Sequence, residues 1–246
     1  MHLIRRLCEW SAGRAERRHL KKSLPPPRSR LYYLFVGRRK LKPLEEKARA
    51  GNVDAQAALG SSLLFGTHGR HDTRESLKWT AKALAAGNPY AKFLYGVRHM
   101  AGIDLVEDRM LAFRCWREAA EGGSPHGMSH TAWAYQHGYG VGRDPVEAIK
   151  WIGETAKTGR ASAQYVLGMN YSCGEVTNNY FRGGGIDQDL KKAYFWLRLA
   201  AYRGDDDARK EAKKLRPQLT SDAVHEIECA VKQWRPGEDY PLWLQH

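Results

Sequence analysis

The chain has 246 residues, of which 42% are apolar and 27% are charged, a composition that excludes a wholly disordered protein. The longest apolar run near the N-terminus, Leu31 to Val36, is far below the roughly 20 residues that cross a bilayer, so we expect no transmembrane helix. Charged residues interrupt any apolar core that a secretory signal would need, and we therefore expect a cytoplasmic protein.

The first predicted element is a basic N-terminal arm. Residues 1–43 hold 13 Lys or Arg and two acidic residues, which gives the arm +11 of the formal charge of +13. A helix with Leu3, Leu7 and Trp10 on one face is typical of an anionic membrane surface or a nucleic-acid partner, and a solubilising tail is the alternative. The candidate polyanion-binding residues are Arg5, Arg6, Arg14, Arg17, Arg18, Lys21 and Lys22. If the arm binds lipid, the protein is peripheral at the membrane.

After the arm, small residues recur every 36 positions. One glycine column is Gly51, Gly87, Gly123 and Gly159, a second is Gly66, Gly102, Gly138 and Gly174, and a third column is Gly60, Gly96, Ala132 and Gly168. A fixed period of this length is the signature of a repeat protein whose units stack to bury a continuous core. The sequence therefore predicts an all-α protein, an α/α superhelical solenoid of helix pairs.

Each unit reads as two helices. The first helix, as in Ala55 to Phe65, is predicted to end at the second glycine column, because glycine adopts the left-handed conformation that follows a helix. An aspartate column is predicted to cap the second helix, and it consists of Asp72, Asp108, Asp144 and Asp189. Its last member lies 45 rather than 36 residues after its predecessor, which predicts a nine-residue insertion near 178–186.

The ends of the array are predicted to be capping helices. Residues 44–216 are expected to form the array, with Pro43 to Ala50 as a partial N-terminal cap, and residues 217–246 are expected to form a C-terminal capping helix and tail. The two last helices are predicted at Asp205 to Leu215 and Ser221 to Trp234, because Pro217 separates them and Pro236 stops the second.

The units resemble suppressor-enhancer-of-lin repeats, usually called Sel-one-like (Sel1-like) repeats or SLR, which are relatives of tetratricopeptide repeats. The resemblance covers roughly residues 51–204 and is carried best by the third unit, with Ala132 to Tyr135, Gly138 to Val141, Asp144, Ala148 and Trp151. The first two units have His68 and Asp104 where the third has Gly140. The resemblance implies a superhelix used as an adaptor that assembles other proteins.

Polar residues of the first helices are the candidate partner-binding residues, because the inner face of such a stack is the expected groove for a protein or peptide. By spacing these are Gln56, Lys92, Arg98, Gln164 and Asn170, with Tyr180, Phe181 and Arg182 added from the insertion. A solvated face and a neutral loop are the alternatives for these two sets.

Catalytic motifs are absent from the sequence. His126 and His130 are one helical turn apart but have no third metal ligand, and no phosphate-binding or nucleophile motif occurs. The four cysteines lack the spacing of a zinc site or a disulfide framework. We therefore expect a non-enzymatic scaffold with no cofactor, metal or small-molecule substrate. Two alternatives remain: a protein tethered by its arm, and a hydrolase related to cysteine-rich members of the repeat family.

Overall fold

The computed structural model describes residues 41–67, 70–174, 187–238 and 241. Within these ranges the regular elements are helices, and none of these helices is both long and apolar enough to cross a membrane. The predicted all-α repeat fold is confirmed. Residues 1–40, His68 and the insertion at 178–186 lie outside the described ranges.

The helices follow the 36-residue period. The first helices of the repeats are α2 Val53–Phe65, α4 Pro89–Ala101, α6 Pro125–His137 and α8 Ala161–Cys173. The second helices are α3 Thr73–Ala85, α5 Arg109–Glu121, α7 Pro145–Lys157 and α9 Leu190–Tyr202. A helix α1 over 41–49 precedes them, so the helix predicted to begin at Pro43 already includes residues 41 and 42.

Two elements close the chain at its C-terminal end: α10 Asp206–Leu215 with a 3-10 turn at Arg216–Gln218, and α11 Ser221–Gln233. Both helices agree with their predicted bounds to within one residue. They pack on α9, as expected of a cap that covers the apolar face of the last repeat.

The aspartate column caps the second helices as predicted. In each case a side-chain oxygen accepts the N–H three residues later, for example Asp72 Oδ1 from Glu75 N at 2.9 Å. Gly66, Gly102 and Gly138 end the first helices with φ between 62° and 69°. Gly174 shares the positive φ of 59°, but its ψ of −147° leaves the left-handed helical region just before the insertion. The expected left-handed cap is therefore confirmed in three repeats and wrong in the fourth.

The small-residue column brings the two helices of a repeat together. A Cβ placed on Gly60 would lie 2.5 Å from Thr80 Oγ1, and one on Gly96 would lie 2.7 Å from the indole of Trp116. Both distances are shorter than a Cβ tolerates, so only glycine permits this approach of the first helix to the second.

The described residues divide into two compact units, a first up to Gly127 and a second from Met128 onward. In the first unit, one apolar cluster joins α1 to α2 through residues such as Ala48 and Leu59, and Trp79 of α3 packs against it. In the second unit, a larger cluster runs from Ala132 to Trp234, with Phe195 and Trp196 fully buried. Each unit therefore has its own apolar core.

Candidate partner-binding site

The structure buries most of the polar side chains predicted to face a partner. Gln56 is 9% exposed, Arg98 and Gln164 are 0% exposed, and Asn170 is 4% exposed. The expectation that these four residues face outward is wrong. Gln56 and Gln164 lie one helical turn before the glycines at 60 and 168, and Arg98 and Asn170 lie seven residues after the alanines at 91 and 163. Their spacing therefore places them on the packed face.

The two glutamines tie a first helix to the helix before it. Gln56 Nε2 donates to Ala48 O at 3.2 Å, and Gln164 Nε2 donates to Ala156 O at 3.2 Å. Both amides reach a carbonyl eight residues earlier, near the end of the preceding helix, which also accepts the backbone N–H of Gly51 at 3.2 Å or of Gly159 at 3.0 Å. The glutamines therefore add a side-chain hydrogen bond between neighbouring helices.

Arg98 is the centre of a buried polar network in the first unit. Its guanidinium donates from Nη1 to Asp104 Oδ2 at 3.0 Å, and from Nη2 to Ser76 Oγ at 2.6 Å and Thr73 O at 3.2 Å. Burial lowers the pKa of Arg98, and Asp104 opposes part of that shift. The arginine links α4 to α3 of the preceding repeat, so it is a packing residue and not an exposed contact.

Lys92 is the member of the predicted set that reaches the surface. Its side chain is 37% exposed and forms a salt bridge with Glu118 of α5. The Asn170 amide donates to Val166 O within its own helix at 2.8 Å. The predictions for Tyr180, Phe181 and Arg182, and for the basic residues of the arm, fall outside the described residues. Partner binding by any of these residues stays a prediction.

An open cleft lies at the N-terminal ends of the first helices in the first unit. We call it the first-unit cleft, and it is lined by Asp54, Asn88, Pro89, Tyr90, Gly122, Gly123, Ser124, Pro125 and His126. Asn88 Nδ2 donates to Asp54 Oδ1 at 2.8 Å, and its Oδ1 accepts Ala91 N at 2.9 Å. The amide therefore fixes the polar side of the cleft while it caps α4.

Two aromatic side chains, Tyr90 and His126, form an aromatic wall of the first-unit cleft, and the buried Phe93 packs behind His126. The His126 ring lies 5.0 Å from the Tyr90 ring and 5.3 Å from the Phe93 ring, measured between centroids. The Tyr90 hydroxyl hydrogen-bonds to Ser61 Oγ at 2.7 Å, which fixes the tyrosine ring across α2 and α4. A cleft with one aromatic wall and one polar wall suits a peptide that carries an apolar and a polar side chain.

A second groove follows α3, lined by Asp72, Arg74, Glu75, Lys78, Trp79 and Lys82. The Lys82 ammonium lies 4.6 Å from the Trp79 ring centroid, and Trp79 Nε1 donates to Glu75 Oε1 at 3.4 Å. The indole is thus covered on one face and hydrogen-bonded at its edge. This groove offers charge rather than an open aromatic surface.

The C-terminal cap is held by an ion pair. Arg198 donates from Nε to Glu228 Oε1 at 2.6 Å and from Nη2 to Glu228 Oε2 at 2.8 Å, while the Tyr194 hydroxyl donates to Oε1 at 2.9 Å. Burial raises the pKa of Glu228, but these donors outweigh it and hold the pKa below its ordinary value. Burial and the Glu228 carboxylate raise the pKa of Tyr194 to about 12. This contact fastens α11 to α9.

The described part of the chain has no assembled site for metal binding or thiol chemistry. No group of three or more His, Cys, Asp or Glu side chains there could hold a metal ion. Cys115 and Cys229 are not in disulfide bonds, and burial is the main reason that the pKa of Cys115 is raised to about 11. Such a thiol is a weak nucleophile near neutral pH.

The stacked helix pairs define an all-α helical-repeat protein, with a cap at its C-terminal end. A family model for the Sel1 repeat matches residues 53–88, 89–124, 125–157 and 161–205, and the chain therefore belongs to the Sel1 repeat family. Proteins of this family generally mediate protein–protein interactions and are typically non-enzymatic scaffolds.

Three individual proteins are similar to this chain. The crystal structure of a Sel1 repeat protein from Oxalobacter formigenes shares 26% identity and a TM-score of 0.58, over 80% of this chain and 79% of that one. The antigen c5321 of uropathogenic Escherichia coli, with an SLR fold, shares 20% identity and a TM-score of 0.47, over 77% of this chain and 47% of that one. Alginate biosynthesis protein AlgK of Azotobacter vinelandii is 29% identical over 158 residues, which are 64% of this chain but about a third, 32%, of AlgK.

A second column of helix caps was not predicted from the sequence. Asn52, Asn88, Ser124 and Asp205 each accept a backbone N–H three residues later, for example Asn52 Oδ1 from Ala55 N at 2.8 Å. Arg160 holds this position in the fourth repeat and makes no side-chain cap. The signal was available, because each of these residues directly follows a glycine of the first column or Gly204. Asn88 of this column also lines the first-unit cleft.

Proposed function

We propose that this protein is a non-enzymatic scaffold that binds a protein or peptide partner on the face formed by the first helices of its repeats. The observation that carries the proposal is the match of four consecutive Sel1 repeats across residues 53–205. Repeats of this kind present one face of every unit to a common partner. The burial of Gln56, Arg98, Gln164 and Asn170 moves the proposed contacts away from those residues.

The first-unit cleft is the proposed contact surface. Its aromatic wall supplies the large, rigid side chains that carry most binding energy at interfaces. Lys92 lies two residues after Tyr90 on α4, is partly exposed and pairs with Glu118, so a partner carboxylate would compete with that salt bridge. The proposed partner segment places an apolar side chain against Tyr90 and His126 and an acidic side chain near Lys92.

Partner capture with the full chain and matched variants tests this function. His126→Ala and Lys92→Glu should each remove a partner that the native chain captures, while Lys213→Glu, on the exposed surface of α10, should leave capture unchanged. Circular dichroism should show equal helix content in all four proteins. Capture that is identical for the cleft variants and the native chain would contradict the cleft as the contact surface.

The basic arm supports a second function, attachment to an anionic membrane or a nucleic acid. Residues 1–43 carry +11 of the formal charge, and binding of such a segment weakens steeply with salt because bound counterions are released. Vesicles with phosphatidylserine and a 20-nucleotide RNA are suitable probes. Binding that survives 500 mM salt, or that persists when Arg17, Arg18, Lys21 and Lys22 are changed to Ser, would exclude the arm. A cytoplasmic location is part of both proposals and would be tested by fractionation.

A further inference from the structure

Arg203 occupies an unusual place at the end of the last repeat. It is the residue that follows α9, and its guanidinium carbon lies 4.8 Å from the ring centroid of Trp234. Trp234 is 6% exposed, and its Nε1 donates to Glu238 O at 3.2 Å, so the indole is fixed in the C-terminal cap. The indole in turn fixes the plane of the guanidinium.

The guanidinium of Arg203 has no hydrogen-bond acceptor and no carboxylate partner among the described residues. Arg198 on the same helix binds Glu228 with two hydrogen bonds, and Arg209 pairs with Asp206. Burial lowers the pKa of Arg203, and no carboxylate opposes that shift. A partly buried cation with free donors therefore lies at the surface of the second unit.

The Nε and Nη2 atoms of Arg203 lie close to the backbone of Gly159, and the Pro236 ring lies beside the same glycine. A Cβ on Gly159 would lie 3.4 Å from Nη2 and 3.5 Å from Nε, so the guanidinium edge lies directly beside a residue without a side chain. The neighbouring Tyr202 is 75% exposed. The other repeats have small residues at the position of Arg203, namely Ala86, Gly122 and Thr158. The arginine is thus an addition of the last repeat that the helix-pair fold does not require.

We propose that Arg203 is a binding site for a carboxylate group of a protein partner. An arginine whose face is stacked keeps its edge donors free, and that planar edge matches a carboxylate with two parallel hydrogen bonds. The exposed Tyr202 adds an aromatic surface and a hydroxyl beside the bound group. This inference rests on the proposed scaffold function and adds a second contact point to it, in the second unit.

A carboxylate fits this site better than a phosphate polymer. A nucleic-acid backbone is bound by rows of cations, whereas three of the four basic residues on α10 are already paired: Arg209 with Asp206, Lys210 with Asp207 and Lys214 with Glu211. A single free guanidinium instead selects a single anionic side chain or a chain terminus.

Arginine side-chain NMR on the full-length protein tests the site directly. The Nε–H signal of Arg203 is assigned from its loss in Arg203→Lys. A blocked tetraglutamate peptide is the probe, titrated at constant ionic strength, with inorganic phosphate and a 20-nucleotide RNA as separate arms. We expect a saturable shift of this signal with tetraglutamate, weakened about tenfold or more in affinity by Arg203→Lys as followed on backbone amides near Trp234. Arg209→Lys, the matched control at a paired arginine, should bind within about twofold of the native chain.

Each other outcome overturns the inference. An Arg203 signal that does not move with tetraglutamate, or equal binding by Arg203→Lys, would show that the arginine only holds the cap through Trp234. A larger shift with phosphate or RNA would assign the site to phosphate instead. Partner capture separates this site from the scaffold function: loss with His126→Ala but not with Arg203→Lys would leave the scaffold function standing and remove the Arg203 site.

Discussion

The Arg98 network permits a stability test with a definite sign. Asp104 has φ of 56°, a left-handed conformation that is unusual for a residue other than glycine, and Gly140 holds the same loop position in the third repeat with φ of 68°. On backbone conformation alone, Asp104→Gly should stabilise the protein. We expect the opposite, because this substitution removes the carboxylate that pairs with Arg98.

The expected cost follows from burial. The Arg98 side chain is 0% exposed, while the Asp104 side chain is 25% exposed. Loss of the carboxylate leaves a buried guanidinium without its counter-charge, which costs about 3–5 kcal/mol. Thr73 O and Ser76 Oγ still accept from it, so we place the loss at the lower end, about 3 kcal/mol. Arg98→Met should cost less than this, about 1–3 kcal/mol, since the partly exposed carboxylate can bind water.

Urea unfolding followed by circular dichroism provides the assay. The double variant Arg98→Met/Asp104→Gly should be more stable than Asp104→Gly alone, because it removes the buried charge together with its partner. Gly140→Asp is the matched control: its column neighbour is Ala134 rather than arginine, so the new aspartate has only the cost of left-handed backbone, about 1 kcal/mol. If Asp104→Gly is as stable as the native chain, Arg98 does not depend on Asp104 and the reasoning fails.

Three further measurements address packing, thiol chemistry and pH. Gly96→Ala should lower the free energy of unfolding by about 1–3 kcal/mol, because its Cβ would lie 2.7 Å from Trp116. The control Gly153→Ala meets nothing within 4 Å and should stabilise α7 by about 0.5–1 kcal/mol. Equal melting temperatures for the two variants would contradict this reasoning. Cys115, with its pKa raised to about 11 mainly by burial, should be alkylated last by maleimide at pH 8, as mass spectrometry can show. The pKa of Glu228 is below its ordinary value, so the stability that this carboxylate contributes is complete above about pH 4.3 and is lost as pH falls through the folded pKa. The stability gap to Glu228→Gln, about 1 kcal/mol, should be present at pH 7 and should shrink as pH falls below about 4.3.

Helix bounds were predictable because they depend on local chemistry. An aspartate accepts N–H groups of the first turn and a glycine ends the last one, and both act through residues only a few positions away. The Asp144 start and the Gly138 end illustrate this, since the structure has α6 finish at His137 and α7 begin at Pro145. The 36-residue period then carries the same bounds to the other repeats.

The surface was harder to predict than the helices. Gln56 and Gln164 are polar, and polarity alone suggests exposure, but their spacing to the glycine column places them on the packed side. That signal was in the sequence and outweighs residue type. The burial of Arg98 could not be predicted from spacing alone, because it depends on Ser76 and Asp104, which lie in two other segments. Sequence spacing along one helix does not reveal partners of that kind.

Two arginines that break the repeat pattern have different roles: Arg98 stabilises the fold, whereas we propose that Arg203 binds a partner. Arg98 stands in a column with Ser62, Ala134 and Asn170, and Arg203 stands in a column of small residues, so neither is required by the helix-pair fold. The fold supplies acceptors for Nη1 and Nη2 of the fully buried Arg98, since a buried charge without them would destabilise the protein. Arg203 is only partly buried, and it is stacked on Trp234 with its donors free. A charge that the protein holds in place at its surface without an internal partner can be satisfied from outside, and for this reason we place the second contact with a partner at Arg203.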